Sequence, residues 1–130
     1  MSLKFYKCNT CGNLIVKIID GETIPVCCGK QMTELRPAMT DGALEKHVPV
    51  WKRDKNTVDV TVGQIEHPMT LLHHIDFIVL ETTKGFYVQN VFNSDCENCK
   101  PEACFTICKD EEPVAVYEYC NLHGIYVSMV

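Results

Sequence analysis

The sequence carries no surplus of positive charge. Twelve basic residues stand against 17 acidic ones, for a formal net charge of -5 in 130 residues. A general nucleic-acid binder needs a basic face to neutralise phosphates, so that class is excluded. There is also no long apolar run. Nothing approaches the roughly 18 residues that would cross a bilayer as a helix, so no membrane partner is expected. Met1 to Cys11 has no apolar signal core, which predicts a cytoplasmic protein. No sustained 3.6-residue apolar period, internal repeat or low-complexity tract is present, so a helical or solenoid architecture is not expected. Histidine is scarce, at five residues.

What the chain has in quantity is cysteine. Nine cysteines is an odd number, which argues against a simple disulfide framework. In a reducing compartment thiols bind metals more often than they pair. The apolar share of 46% is ordinary and permits a real core. The length suits one domain plus a small appended unit.

Residues 1–37 form the small unit. Cys8-x-x-Cys11 is followed by a short β-prone run, Leu14 to Ile19, and a turn signal at Asp20-Gly21. The chain then reaches Cys27-Cys28-Gly29. So short a piece buries little apolar surface and needs a staple such as a metal. Four thiolates make a tetrahedral site suited to zinc or iron, and the spacing does not choose between them. The second pair is adjacent rather than CxxC. Neighbouring side chains tend to point apart, so binding one ion with both should strain the tetrahedron.

Residues 38–130 read as mainly β. Val48 to Arg53 is extended. Thr57 to Ile65 alternates, with Val58, Val60 and Val62 on one face and Asp59 and Thr61 on the other. Ile75 to Thr82 is nearly continuously apolar, as a central strand would be. Phe86 to Phe92, Phe105 to Cys108, Val114 to Tyr119 and Ile125 to Val130 complete about seven short strands. The pattern predicts a β-sandwich.

Near the C-terminus, Cys120-Asn121-Leu122-His123-Gly124 puts a thiol and an imidazole three residues apart in a turn-like segment. His47, His67 and His73 also lie at or near expected strand ends or loops, where side chains from several strands can meet. Five N/S donors with one thiolate suit a redox metal better than a closed structural zinc, which four would satisfy. A sixth position would remain for a small substrate.

Two resemblances make the reading specific. Phe5-Tyr6-Lys7-Cys8-x-x-Cys11-Gly12-Asn13, with Cys27-Cys28-Gly29 and Met32, resembles the desulforedoxin module. That likeness implies one iron held by Cys8, Cys11, Cys27 and Cys28 in a distorted tetrahedron, with zinc a conceivable substitute, and a module that dimerises. Glu45-Lys46-His47-Val48-Pro49, His67-Pro68-Met69-x-x-x-His73 and Cys120-Asn121-Leu122-His123-Gly124 resemble the superoxide reductase motifs of the desulfoferrodoxin family. The order and approximate spacing agree, and the two likenesses together cover essentially the whole chain.

The second resemblance implies a second iron, with His47, His67, His73 and His123 equatorial and Cys120 as axial thiolate. Glu45 would take the sixth position in the ferric state and leave on reduction. Lys46 would sit near the open position, attract superoxide and help deliver protons. The implied fold is an immunoglobulin-like sandwich. The implied activity is reduction of superoxide to hydrogen peroxide, a detoxification that needs an outside electron donor of rubredoxin type. The iron of the four-cysteine site could relay that electron or be structural. Two rival readings are an electron carrier working through that four-cysteine iron and a zinc-binding interaction module.

Two features need separate treatment. His74 adjoins His73, and family members commonly carry an aromatic residue there. The six-residue step from His67 favours His73 as the ligand. Adjacent strand residues face opposite ways, so His74 is expected to pack or lie at the surface. Cys96, Cys99, Cys104 and Cys108, spaced C-x2-C-x4-C-x3-C, lie outside the family pattern. They could bind a third metal or contain a disulfide. The preferred reading makes Cys104 and Cys108 small apolar residues on one strand face, with Cys96 and Cys99 in a turn.

Overall fold

The computed structural model describes residues 3–39, 47–63, 65–95 and 99–129. Within them the regular structure is all β. The chain divides into two compact units, Met1–Arg36 and Pro37–Val130.

The first unit contains β1 (Phe5–Lys7), β2 (Leu14–Val16), β3 (Val26–Cys27), β4 (Lys30–Gln31) and β5 (Thr33–Leu35). Strand β1 lies between β2 and β5, antiparallel to both, and β3 pairs with β4. Tyr6, Cys8 and Met32 form a buried cluster with Cys27 packed against it. The apolar run that begins at Leu14 stops pairing at Val16. Ile18 and Ile19 are 83% and 84% exposed.

The second unit contains β6 (Pro49–Asp54), β7 (Thr57–Val62), β8 (Ile75–Thr82), β9 (Gly85–Asn90), β10 (Glu102–Thr106), β11 (Pro113–Cys120) and β12 (Gly124–Met129). They form a three-stranded sheet, β10-β7-β6, and a four-stranded sheet, β12-β11-β8-β9, with every pairing antiparallel. The two sheets share one core. Val58, Val60 and Val62 meet Ala103, Phe105, Ile107, Ile75, Ile78, Leu80, Val116 and Cys120 there. The expected seven-stranded sandwich is the fold found.

The alternation in β7 explains its seat, because successive side chains of a strand point to opposite faces. All three valines are buried, while Thr61 is exposed. Gly63, at φ +80°, ends the strand in a conformation that costs glycine little. The loop that follows carries His67 and His73 to the end of the sandwich where β11 stops and β12 starts.

At the other end a carboxylate ties the loops together. Glu111 is buried and accepts from the Thr82 and Tyr87 hydroxyls, the latter at 2.8 Å, and from the Cys108 N–H at 3.1 Å. These bonds hold its carboxyl below the ordinary range, led by the Thr82 hydroxyl.

Candidate metal centres

The loop end of the sandwich gathers five donors. His47 lies two residues before the start of β6, His67 and His73 lie between β7 and β8, Cys120 ends β11, and His123 lies in the turn before β12. One ligand atom from each falls within 4.8 Å of all the others. The His47 Nε2 to His123 Nδ1 distance is 3.0 Å, and Cys120 Sγ lies 3.6 Å from the same Nδ1. Two nitrogens bound at right angles to one ion at about 2.1 Å would be about 3.0 Å apart.

The protonation states suit a cation. His67 Nδ1 lies 2.8 Å from the Pro68 carbonyl and can only donate to it. The ring's lone pair is therefore on Nε2. That atom is buried and has no hydrogen-bond partner among the described residues. A carbonyl that fixes the tautomer of a ligating imidazole is the usual outer-shell arrangement. Burial, with His47, His73 and His123 nearby, pushes His67 down to about 4, so its ring is neutral at pH 7. Cys120 is fully buried. Burial pushes its thiol up, while the Leu122 and His123 N–H groups pull the other way. A bound cation would supply the charge that makes it a thiolate. The donor set fits a redox metal with five protein ligands.

Cys8, Cys11, Cys27 and Cys28 form a second group with ligand atoms within 4.8 Å of one another. Cys11 Sγ lies 3.6 Å from Cys27 Sγ, which lies 3.9 Å from Cys28 Sγ. Sulfurs at tetrahedral corners about 2.3 Å from an ion would be about 3.8 Å apart. The adjacent pair converges because Cys28 has a left-handed backbone, φ +54°, followed by Gly29 at φ +75°. A non-glycine residue held there costs about 1–3 kcal/mol. The Cys11 and Thr10 N–H groups pull the Cys8 thiol down to about 6, whereas the neighbouring sulfurs push Cys28 up to about 12. Four thiolates this close would repel one another, and a bound cation would offset that repulsion.

The sequence matches the desulfoferrodoxin family over residues 39–129 and the desulfoferrodoxin N-terminal domain over residues 2–35. The chain belongs to the desulfoferrodoxin family. The desulfoferrodoxin of Syntrophotalea carbinolica is 41% identical over 97% of this chain and 95% of its own length. That of Nitratidesulfovibrio vulgaris is 40% identical over 93% and 91%. Among solved structures, the superoxide reductase from Treponema pallidum superposes with a TM-score of 0.83 at 26% identity, covering 98% of each chain. The 1Fe superoxide reductase from Giardia intestinalis covers 66% of this chain and 97% of its own, with a TM-score of 0.53 and 30% identity.

Within this desulfoferrodoxin chain, Glu45 and Lys46 lie outside the described residues. His74 is not at the surface: it is 8% exposed, stacks on Phe92 at 3.6 Å between centroids, and puts Nδ1 2.8 Å from the Thr70 carbonyl. Its Nε2 lies 2.9 Å from Asp76.

The expectation for the extra cysteines needs correction. Cys104 and Cys108 do share a side of the chain, but it is the exposed one, and Ala103, Phe105 and Ile107 take the core. Cys99 is disulfide-bonded, and Cys96 lies outside the described residues. Among the described residues, the two groups above are the ones placed to hold a metal.

Two further residues gave no signal in the sequence. Tyr126 stacks on His47 with centroids 4.7 Å apart and planes 16° from parallel. Asn121 reaches from between Cys120 and His123 to the loop that carries His73.

Proposed function

We propose that this chain is a superoxide reductase, converting superoxide, one electron and two protons to hydrogen peroxide. The observation that carries the reading is the convergence of four imidazoles and one buried thiol. The superoxide reductase from Treponema pallidum, alike over 98% of both chains, supports it. Bound iron would supply the one-electron reductant. His47, His67, His73 and His123 would hold it as neutral donors, and Cys120 would add electron density as the one thiolate among the five. Five protein donors would leave room on such an ion for a small anion. Lys46, next to His47 in sequence, attracts that anion and, with a water it holds, delivers protons. Glu45, two residues before His47, would be the further donor to ferric iron and would help release product.

Residues 1–37 act as a four-cysteine iron module, in which zinc could substitute, and residues 38–130 as the catalytic domain. The exposure of Cys11 and Cys28 supports electron exchange at the module's surface. A rubredoxin-like carrier supplies the electron. Ile18, Ile19, Ile24 and Val26 of the module are all exposed, which supports a homodimer closing over them. The setting is cytoplasmic detoxification, supported by seven free cysteines among the described residues, where Cys99 is the exception. No described helix is long and apolar enough to cross a membrane.

Metal analysis with a visible spectrum of the oxidised protein tests the assignment. Two irons per chain are expected. Glu45→Ala should alter the ferric spectrum while leaving superoxide reduction largely intact. Zinc at both sites would contradict the reading, and an unchanged Glu45→Ala spectrum would remove the sixth-ligand role.

A further inference from the structure

Met69 anchors the start of the loop bearing His73 on the core, but the tip is not held by apolar burial. Leu71 and Leu72, at its tip, are 69% and 80% exposed. What fixes it is a set of hydrogen bonds. The Thr70 N–H donates to the His73 carbonyl at 2.9 Å, and the His73 N–H donates to the Thr70 carbonyl at 3.2 Å. Thr70 Oγ1 donates to the same His73 carbonyl and accepts from the His73 N–H, each at 3.1 Å. This turn is closed on itself but not yet tied to the rest of the site.

Asn121 supplies the tie. Its side-chain Oδ1 accepts from the His74 N–H at 2.8 Å, and its Nδ2 donates to the Leu72 carbonyl at 3.0 Å. Its own N–H donates to the His74 carbonyl at 3.1 Å. One residue thus grips the chain immediately before and immediately after His73. The same residue sits between Cys120 and His123.

We propose that Asn121, working on the Thr70 turn, is the positioning residue that sets His73 against the other four donors. Three of the five donors then share one rigid unit: Cys120 and His123 on Asn121's own segment, and His73 across the clamp. The clamp acts through backbone groups, so it fixes where the ring stands without touching it. Outer-shell partners of this kind carry about 10- to 100-fold in metal affinity. The inference rests on the reading of this pocket as a metal centre.

The test uses the full-length apoprotein titrated with cobalt(II), whose ligand-field bands report coordination geometry. The part of the spectrum lost in Cys120→Ser identifies the five-donor site. Asn121→Ala is predicted to weaken cobalt binding there about 10- to 100-fold and to shift the bands, leaving the four-cysteine site unchanged. In a His73→Ala background the same substitution should cost nothing further, because its effect runs through His73. Wild-type affinity and bands in Asn121→Ala, or an equal loss in the His73→Ala background, would overturn the proposal. If Asn121→Ala does not fold, Thr70→Val carries the test. It keeps the side chain's shape and removes both Oγ1 bonds, so affinity should fall, and an unchanged value would overturn the proposal. Absence of any Cys120-dependent band in the wild type would contradict the metal-centre reading itself, and the clamp with it.

Discussion

His47 Nε2 and His123 Nδ1 face each other across 3.0 Å, from positions 76 residues apart in the chain. A shared proton could join those two rings. It could not also serve the His67 and His73 rings, whose centroids lie 4.6 Å apart beside them, or the buried Cys120 thiol. A single cation satisfies all five at once. The fold assembles this end of the sandwich at the expense of burying polar atoms, and the metal returns their interactions.

Cys120 is the site's only sulfur, so its loss has a spectroscopic signature. Cys120→Ser should abolish any thiolate-to-iron charge-transfer band in the visible region. Iron affinity should fall by at least the 10- to 100-fold that outer-shell changes cost. A band that survives would remove Cys120 from the ligand set.

Tyr126 supports His47 by stacking on its ring. An aromatic pair of this kind contributes about 0.5–1.5 kcal/mol. Tyr126→Ala should therefore weaken metal binding at the five-donor site by about 2- to 12-fold, and Tyr126→Phe should keep most of it. Competition with a chelator measures both. Equal losses in the two variants would assign the effect to the hydroxyl instead.

The two centres should be separable. Cys28→Ser removes a donor from the four-cysteine group and should lower metal content from two ions per chain to one. The Cys120-dependent part of the spectrum should stay as it was. Loss of both signals together would mean that the second unit depends on the first for its metal.

Acid stability should report Glu111. Its carboxyl is held below the ordinary 4.5 by the bonds from Thr82, Tyr87 and Cys108. A depressed folded-state value stabilises the fold fully above the unfolded value and is lost as pH falls through the folded one. Glu111→Gln should lower the melting temperature at pH 7. The gap from wild type should narrow below about pH 4.5. A gap independent of pH would mean that packing, not charge, is what Glu111 contributes.

Much of this arrangement was legible because period and spacing are local. Val58, Val60 and Val62 alternate visibly, and their face is the core face. The cysteine and histidine motifs mark the donors, and the strand ends bring them together. Parity was the weak point. Cys104 and Cys108 share a side, as their spacing implies, but that spacing is equally compatible with either side. A one-residue change of register exchanges core and solvent, and Phe105 and Ile107 took the core. The left-handed backbone at Cys28 was illegible for another reason: the adjacent pair announced strain without revealing where it would be taken up. Asn121 and Tyr126 act across 47 and 79 positions of sequence respectively, on His74 and His47. No local pattern marks a contact of that kind.

The central claim is that the reduced iron-loaded protein consumes superoxide without dismuting it. The direct measurement mixes that protein with superoxide under anaerobic conditions and follows peroxide and dioxygen together. The account predicts one peroxide formed for each superoxide consumed, one ferrous centre oxidised, and no dioxygen. Dioxygen released alongside peroxide, with the centre returned to its starting state, would contradict it.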